Sequence, residues 1–310
     1  MLGFKPVRLE NKEEIKYYLK MANSSFCDLC FVDMFIWKDQ FNTQFCIKDG
    51  YLFLKAESFP DRTPIYISPV GEGNFIKSVR YIFEDARERR IPLIITCLSD
   101  EQKDELKRSF PEQILIEELR NSADYLYRSE DLISLKGNKF HSKKNHINHF
   151  KKTYENRWKY EEIRLENIRE VMDYYRKWQK QNEDKKQSLL QGEERAIQLA
   201  FEHFTELNLR GGLLRLDGNV IAFTLGAQST DDMFVIQIEK ADSHISGAYQ
   251  MINQQFAETN CQDVLWINRE EDLGIEGLRK SKLSYHPASL KMKYTAKLKT
   301  GVEKNVHPIC

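Results

Sequence analysis

The sequence has no apolar run of the roughly 20 residues that a helix needs to cross a bilayer. Its opening residues, MLGFKPVRLENKEE, lack the basic, apolar and small-residue regions of a secretory signal. Together these absences lead us to expect a cytoplasmic protein without a transmembrane segment. Net charge is also absent, because 47 basic residues balance 47 acidic ones. Any attraction to an anionic partner must therefore come from local clustering. A zinc framework is missing too: Cys27 and Cys30 form a lone C-x-x-C with no second ligand pair at matching spacing. Most of the cysteines (Cys27, Cys30, Cys46, Cys97, Cys261 and Cys310) sit beside apolar residues, as in FCDLCF and IITCL. They read as buried free thiols, and the final HPIC is not a prenylation signal. No metal is expected.

What is present begins with a near-repeat. VRLENKEEI spans Val7 to Ile15, and IRLENIREV spans Ile163 to Val171. After each copy the hydrophobic pattern runs through the same order of elements. Two helices come first, then a hairpin turning on Asp-Gly (Asp49-Gly50, then Asp217-Gly218) and a third strand. A helix, an apolar strand, another helix and a last strand follow. Asn11 and Asn167 are the expected N-caps of the first helix in each pass. DYLYR closes the first pass and LKMKYTAKLK the second. The repeat then marks the first strand of two copies of one α/β unit with mixed sheets, divided at 1–128 and 129–310. The 310 residues, 41% hydrophobic and 30% charged, allow two globular domains, each with its own core.

The charge is not evenly spread. From Lys136 to Lys159 there are eight basic residues and one acid, Glu155, leaving 39 basic and 46 acidic residues elsewhere. Phe140, Ile147, Phe150, Tyr154 and Trp158 share one face of a helix in this segment. Lys143, Lys144, Lys151 and Lys152 fall mostly off that face. One reading is a connecting helix with its basic side in water. The other is an anion-binding helix, with Lys139, Lys143, Lys144 and Asn145 as phosphate contacts. The missing i,i+4 acids and the interleaved Asn145, His146, Asn148 and His149 favour the second. The three histidines His141, His146 and His149 lack acidic co-ligands, and the lysines would repel a cation.

The element order resembles the acyl-CoA N-acyltransferase (GNAT) fold in tandem, as in the peptidyltransferases that use aminoacyl-tRNA. DYLYRSEDLISLKGNKFHSKKNHINHFKKTY resembles the signature of a bacterial family grouped with the C-terminal domain of phosphatidylglycerol lysyltransferases. EKADSHISGAYQMINQQFAE and INREEDLGIEGLRKSKLSYHP are similar to that family too. The resemblance covers residues 124–299 and implies acyl or aminoacyl transfer to an amine or hydroxyl. It also implies a pyrophosphate-gripping turn before a helix, here ADSHISGAYQ with Ser246 and Gly247. Of the usual acyl-CoA pattern HISGAY keeps Gly247 alone, and the first pass offers PVGEGNF with Glu72.

Acyl transfer needs a positioned donor and acceptor, a group for the oxyanion, and proton transfer. Candidates stand at the ends of the middle strands: Glu239 and Asp242, then Asn268, Arg269, Glu270 and Glu271. Alternation puts Gln237 and Glu239 on one face. Structural pairing is the plainer role for each. The resemblance implies that Lys282 faces substrate and that Tyr285 is the general acid; among the strand-end candidates, Asp242 is the expected base or amine-binding group. Three readings follow. The first is an aminoacyl-tRNA-dependent transferase, with tRNA as partner and no tightly bound cofactor. The second is an acyl-CoA N-acyltransferase. The third is a non-catalytic RNA- or ligand-binding module.

Overall fold

In the computed structural model, which describes residues 1–182 and 192–299, both copies of the repeat make the same turn. Asn11 Oδ1 accepts from Arg8 N at 3.3 Å, and Asn167 Oδ1 accepts from Arg164 N at 2.9 Å. Val7 and Ile163 are buried beside them. Each Asn side chain thus bends back to the preceding turn and makes no capping bond to its helix. Each copy of the repeat also follows a strand and does not form it: the strand before the first copy ends at Pro6, and the strand before the second ends at Glu162.

The first unit comprises β1 (Lys5–Pro6), α1 (Lys12–Ala22), α2 (Phe31–Ile36), α3 (Lys38–Phe41), β2 (Gln44–Lys48) and β3 (Tyr51–Glu57). It continues through β4 (Pro64–Gly71), α4 (Phe75–Arg89), β5 (Ile94–Leu98), α5 (Asp100–Ser109) and β6 (Ile114–Glu118). The second begins with β7 (Asp124–Arg128), α6 (Ser129–Ser134), α7 (His141–Thr153), β8 (Trp158–Glu162), α8 (Ile168–Gln181) and α9 (Glu193–Glu202). It goes on with β9 (Arg210–Leu216), β10 (Asn219–Gln228), β11 (Met233–Ala241), α10 (Ala248–Asn260), β12 (Trp266–Asn268), α11 (Glu276–Leu283) and β13 (Ser289–Lys291). β14 (Tyr294–Leu298) is the last strand.

Each unit is built on a seven-stranded sheet, ordered β1-β2-β3-β4-β5-β14-β6 in the first and β13-β7-β12-β11-β10-β9-β8 in the second. Read from β8, the second order repeats the first. Each sheet has one parallel pair, β4 with β5 and β11 with β12. Both predicted Asp-Gly turns form. Asp49 and Gly50 have φ of 50° and 80°, and Asp217 and Gly218 have 50° and 82°. Positive φ at both central positions is the type I′ hairpin, which glycine adopts without a Cβ penalty.

Two expectations change. DYLYR does not close the first unit; as β7 it lies between β13 and β12 of the second. LKMKYTAKLK is not one strand: β13 stays in the second sheet, and β14 inserts between β5 and β6 of the first. The units are therefore Met1–Ala123 with the returning segment from Met292, and Asp124–Lys291, so a single cut at 128 does not separate them. The predicted second helix of the first pass is also broken, into α2 and α3 at Trp37. Cys310 lies outside the described residues, and the other five cysteines are buried free thiols.

The core of the second unit sets the candidate site. Met251, Ile252 and Phe256 of α10 pack on Phe234 and Ile236 of β11, with Phe140, Ile147 and Phe150 of the α7 segment in the same cluster. A buried aromatic of this kind is worth about 3–5 kcal/mol against alanine.

Candidate active site

β11 and β12 pair over only three residues each, ending at Val235 and Asn268. β11 then runs on to Ala241 while the chain after β12 turns toward β7, where Arg269 N donates to Tyr125 O at 3.0 Å. The two parallel strands part, and polar side chains collect there.

A register shift aims one of them. Between Leu225 and Gly226 of β10 the pairing with β11 slips, leaving Gln237 as the extra residue. Before the slip, Phe234 and Ile236 join the α10 core. Simple alternation would put Glu239 on the opposite face. Past the bulge, Glu239 Oε2 instead accepts from Asn253 Nδ2 of α10 at 2.9 Å, while Lys240 pairs with Glu193 of α9 at 2.8 Å. The bulge has turned Glu239 toward the parting strands.

Glu239 Oε1 pairs with Arg269 Nη2 at 2.8 Å. The Arg269 guanidinium lies 4.9 Å from the ring centre of Tyr285 and 5.7 Å from that of Tyr127. Burial works against its charge, but the Glu239 carboxylate outweighs that and raises its pKa. Its Nη1 is buried without a hydrogen-bond partner among the described residues. Tyr285 is 3% exposed, and its hydroxyl has no partner among the described residues. Burial, seconded by Glu239 and opposed by Arg269, holds that hydroxyl protonated well above the usual range.

Lys143 and Lys282 are buried in the same region. Lys143 Nζ donates to Ser284 Oγ at 2.6 Å and sits 4.3 Å from the ring centre of Tyr285. Its expected place off the apolar face is corrected: with Phe140 and Ile147 it points inward, and Lys144 and Asn145 stay exposed. Burial and then Arg269 lower the Lys143 pKa. Lys282 Nζ donates to the carbonyls of Arg269 and Glu271, tying down the loop after β12. Burial, then Arg269, lowers its pKa against the pull of Glu270, Glu271 and Asp124.

The other expected residues shape turns or stand on the surface. Asp242 Oδ1 accepts from His244 N at 2.9 Å, shaping the turn before α10. Asn268 Oδ1 does the same for Glu270 N at 2.6 Å. Ser246 is exposed and makes no cap bond, because Gly247 is the N-cap of α10. Gly247 has φ +87°, and a Cβ there would meet His146 O at 2.6 Å and Phe150 Cβ at 2.9 Å. This glycine admits the α7 backbone. In the first unit, a Cβ on Gly73 would meet Tyr51 Oη at 2.6 Å. Lys139 pairs with Asp131 at 2.9 Å on the surface. Sequence reasoning missed Asn253, Tyr127 and Ser284. Asn253 left a trace as a polar residue in the buried stripe of α10. Ser284 left none.

The fold and this cluster define two GNAT-like units in tandem, with a buried polar centre where the parallel strands of the second unit part. Residues 21–297 match the family described as phosphatidylglycerol lysyltransferase, C-terminal, and the chain belongs to that family. It is 38% identical to a conserved protein of unknown function from Bacteroides thetaiotaomicron VPI-5482, with a TM-score of 0.90 over 96% of this chain and 100% of that one. It shares the fold of L-PGS from Bacillus licheniformis at 16% identity, TM-score 0.64, covering 93% of this chain and 92% of that one. A tandem GNAT protein from the clavulanic acid biosynthesis pathway is similar in fold at 10% identity, TM-score 0.51, over 96% and 98% of the two chains. An uncharacterized protein of Mycoplasmoides gallisepticum is 26% identical over 183 residues, and the match spans 57% of each chain. Among the described residues no helix is long and apolar enough to cross a membrane.

Proposed function

We propose that the protein transfers an aminoacyl group from aminoacyl-tRNA to a hydroxyl or amine acceptor, in the second unit. The observation that carries this reading is α7. Its inward face builds the polar centre through Lys143, while Lys144, Asn145, His146, Asn148, His149, Lys151 and Lys152 stay exposed on a helix with no acid. A surface of that kind suits a phosphate backbone, and it adjoins the chemistry. The family description, which names lysyl transfer to phosphatidylglycerol, agrees with such a donor and with a hydroxyl acceptor. The close packing at Gly247 argues against a pyrophosphate seated at the turn as in acyl-CoA users.

In this mechanism Arg269 Nη1 supplies the donor for the developing oxyanion. Glu239 holds the guanidinium in place. Tyr285, kept protonated by burial, passes its proton to the leaving oxygen of the donor. Asp242 orders the turn before α10 through its bond from His244 N.

The test is binding of charged tRNA to the purified protein across a salt series, with acyl-CoA as competitor. Affinity that falls steeply with salt, and that drops when Lys144, Lys151 and Lys152 become Glu, is the expected result. Binding of acyl-CoA with no binding of tRNA would overturn the reading.

A further inference from the structure

Among the described residues, Lys143, Lys240, Lys282 and Lys293 are buried or nearly so, and the last three have oxygen partners suited to a cation. Lys240 meets Glu193 at 2.8 Å, Lys293 meets Asp28, and Lys282 meets two backbone carbonyls. Lys143 differs. It is 8% exposed, no carboxylate pairs with it among the described residues, and its hydrogen bond goes to a hydroxyl, Ser284 Oγ, at 2.6 Å. The titratable groups that face it are Tyr285, which follows α11, and Arg269, which follows β12. Neither offers a negative charge. A buried ammonium without a counter-ion gives up its proton more readily than one in water. Ser284 is half-buried at the C-terminal end of α11, and its hydroxyl also reaches Ser281 O at 2.6 Å. Rotation about its Cβ–Oγ bond turns that proton from the carbonyl to Lys143 Nζ. A nucleophile within hydrogen-bond reach of an amine base is the arrangement that covalent catalysis needs.

We propose that Lys143 and Ser284 form a serine–lysine dyad in which Ser284 Oγ accepts the acyl group from the donor ester before it passes to the acceptor. This rests on the acyl-transfer reading above. In the first half, Ser284 Oγ bonds to the ester carbonyl carbon and its proton moves to neutral Lys143 Nζ. The bond from that carbon to the donor's oxygen then breaks, and the leaving oxygen takes a proton from Tyr285, which recovers one from Lys143. In the second half, the acceptor's hydroxyl or amine attacks the acyl-serine, its proton passes to Lys143, and Ser284 leaves with a proton from the same lysine. One ester and one acceptor become one acylated acceptor and one alcohol, with no net proton change.

The first experiment needs no tRNA. The full-length protein is mixed with 4-nitrophenyl acetate, and the fast release of nitrophenolate is followed beside peptide mass mapping. The dyad is expected to give a burst of about one equivalent with acetyl on Ser284. Ser284→Ala should abolish the burst, and Lys143→Met should slow it by about 10²-fold or more. Ser284→Cys should restore acylation, which a purely structural serine would not require. The burst rate should rise with pH along a limb centred below the ordinary lysine value of 10.5. An acetyl-free Ser284, or an unchanged burst in Ser284→Ala, would overturn the proposal. Charged tRNA then separates the two readings. Wild-type transfer by Ser284→Ala would sink the relay and leave the donor assignment standing. Acetylation of Ser284 without tRNA binding would keep the dyad and remove that donor.

Discussion

At the residue scale, Tyr285 is the side chain where sequence resemblance and geometry meet. Tyr285→Phe should keep the fold and tRNA binding yet lower turnover by about 10²-fold, measured in single-turnover transfer. Full activity in that variant would remove the general-acid role. Asp272 offers a second residue-scale expectation. Its buried carboxylate accepts from Tyr125 Oη at 2.6 Å and Gly274 N at 2.9 Å, and pairs with Arg279 at 2.8 Å. Burial alone would raise its pKa, but these partners hold it far below the usual carboxylate range. A depressed folded-state pKa means that the stabilisation is fully present above the unfolded value near 3.8 and is lost as pH falls further. Asp272→Asn should therefore cost about 3 kcal/mol at neutral pH and flatten the acid limb of the stability profile. Denaturant titrations at several acid pH values would show it.

At the scale of elements, α7 was legible as an amphipathic helix from Phe140, Ile147, Phe150, Tyr154 and Trp158. Lys143 was not, although its position three residues after Phe140 already places it on the buried face. Lysine in that stripe reads as an outward charge until a partner is known. The partner is Ser284, 141 positions away. The bulge in β10–β11 was hidden for a similar reason: nothing local in VIQIEKAD says that the alternation breaks at Gln237. The exposed side of α7 carries its own expectation. Reversing Lys144, Lys151 and Lys152 to Glu should reduce the log–log salt slope of tRNA binding by about two to three. Folding should be unaffected, since all three are exposed. Circular dichroism beside a filter-binding series would separate the two effects.

At the scale of the whole molecule, the chain leaves the first unit after Ala123 and returns to it at Met292. β14 fills the place between β5 and β6, pairing Ala296 with Ile95 on one side and Ile116 on the other. Tyr294 and Ala296 belong to the first unit's core, and buried Lys293 pairs with Asp28. A chain ending at Lys291 should thus leave β5 and β6 with open edges and Asp28 without its cation. Thermal unfolding should show an early, aggregation-prone transition from the first unit. A truncated chain with the melting behaviour of the full one would contradict this.

The sequence by itself determined the twofold order of elements, the two type I′ turns, the buried thiols and the existence of α7. These follow from backbone preferences and hydrophobic spacing over a few neighbouring residues. Only the tertiary structure decided that β7 and β14 sit in the sheets they do, that Glu239 faces α10, and that Lys143 points inward to Ser284. A strand pattern states that a segment is half-buried but not which edge it completes. The partner of a buried charge is likewise set by residues far away in the chain, through desolvation and hydrogen bonds that exist only once the core has closed.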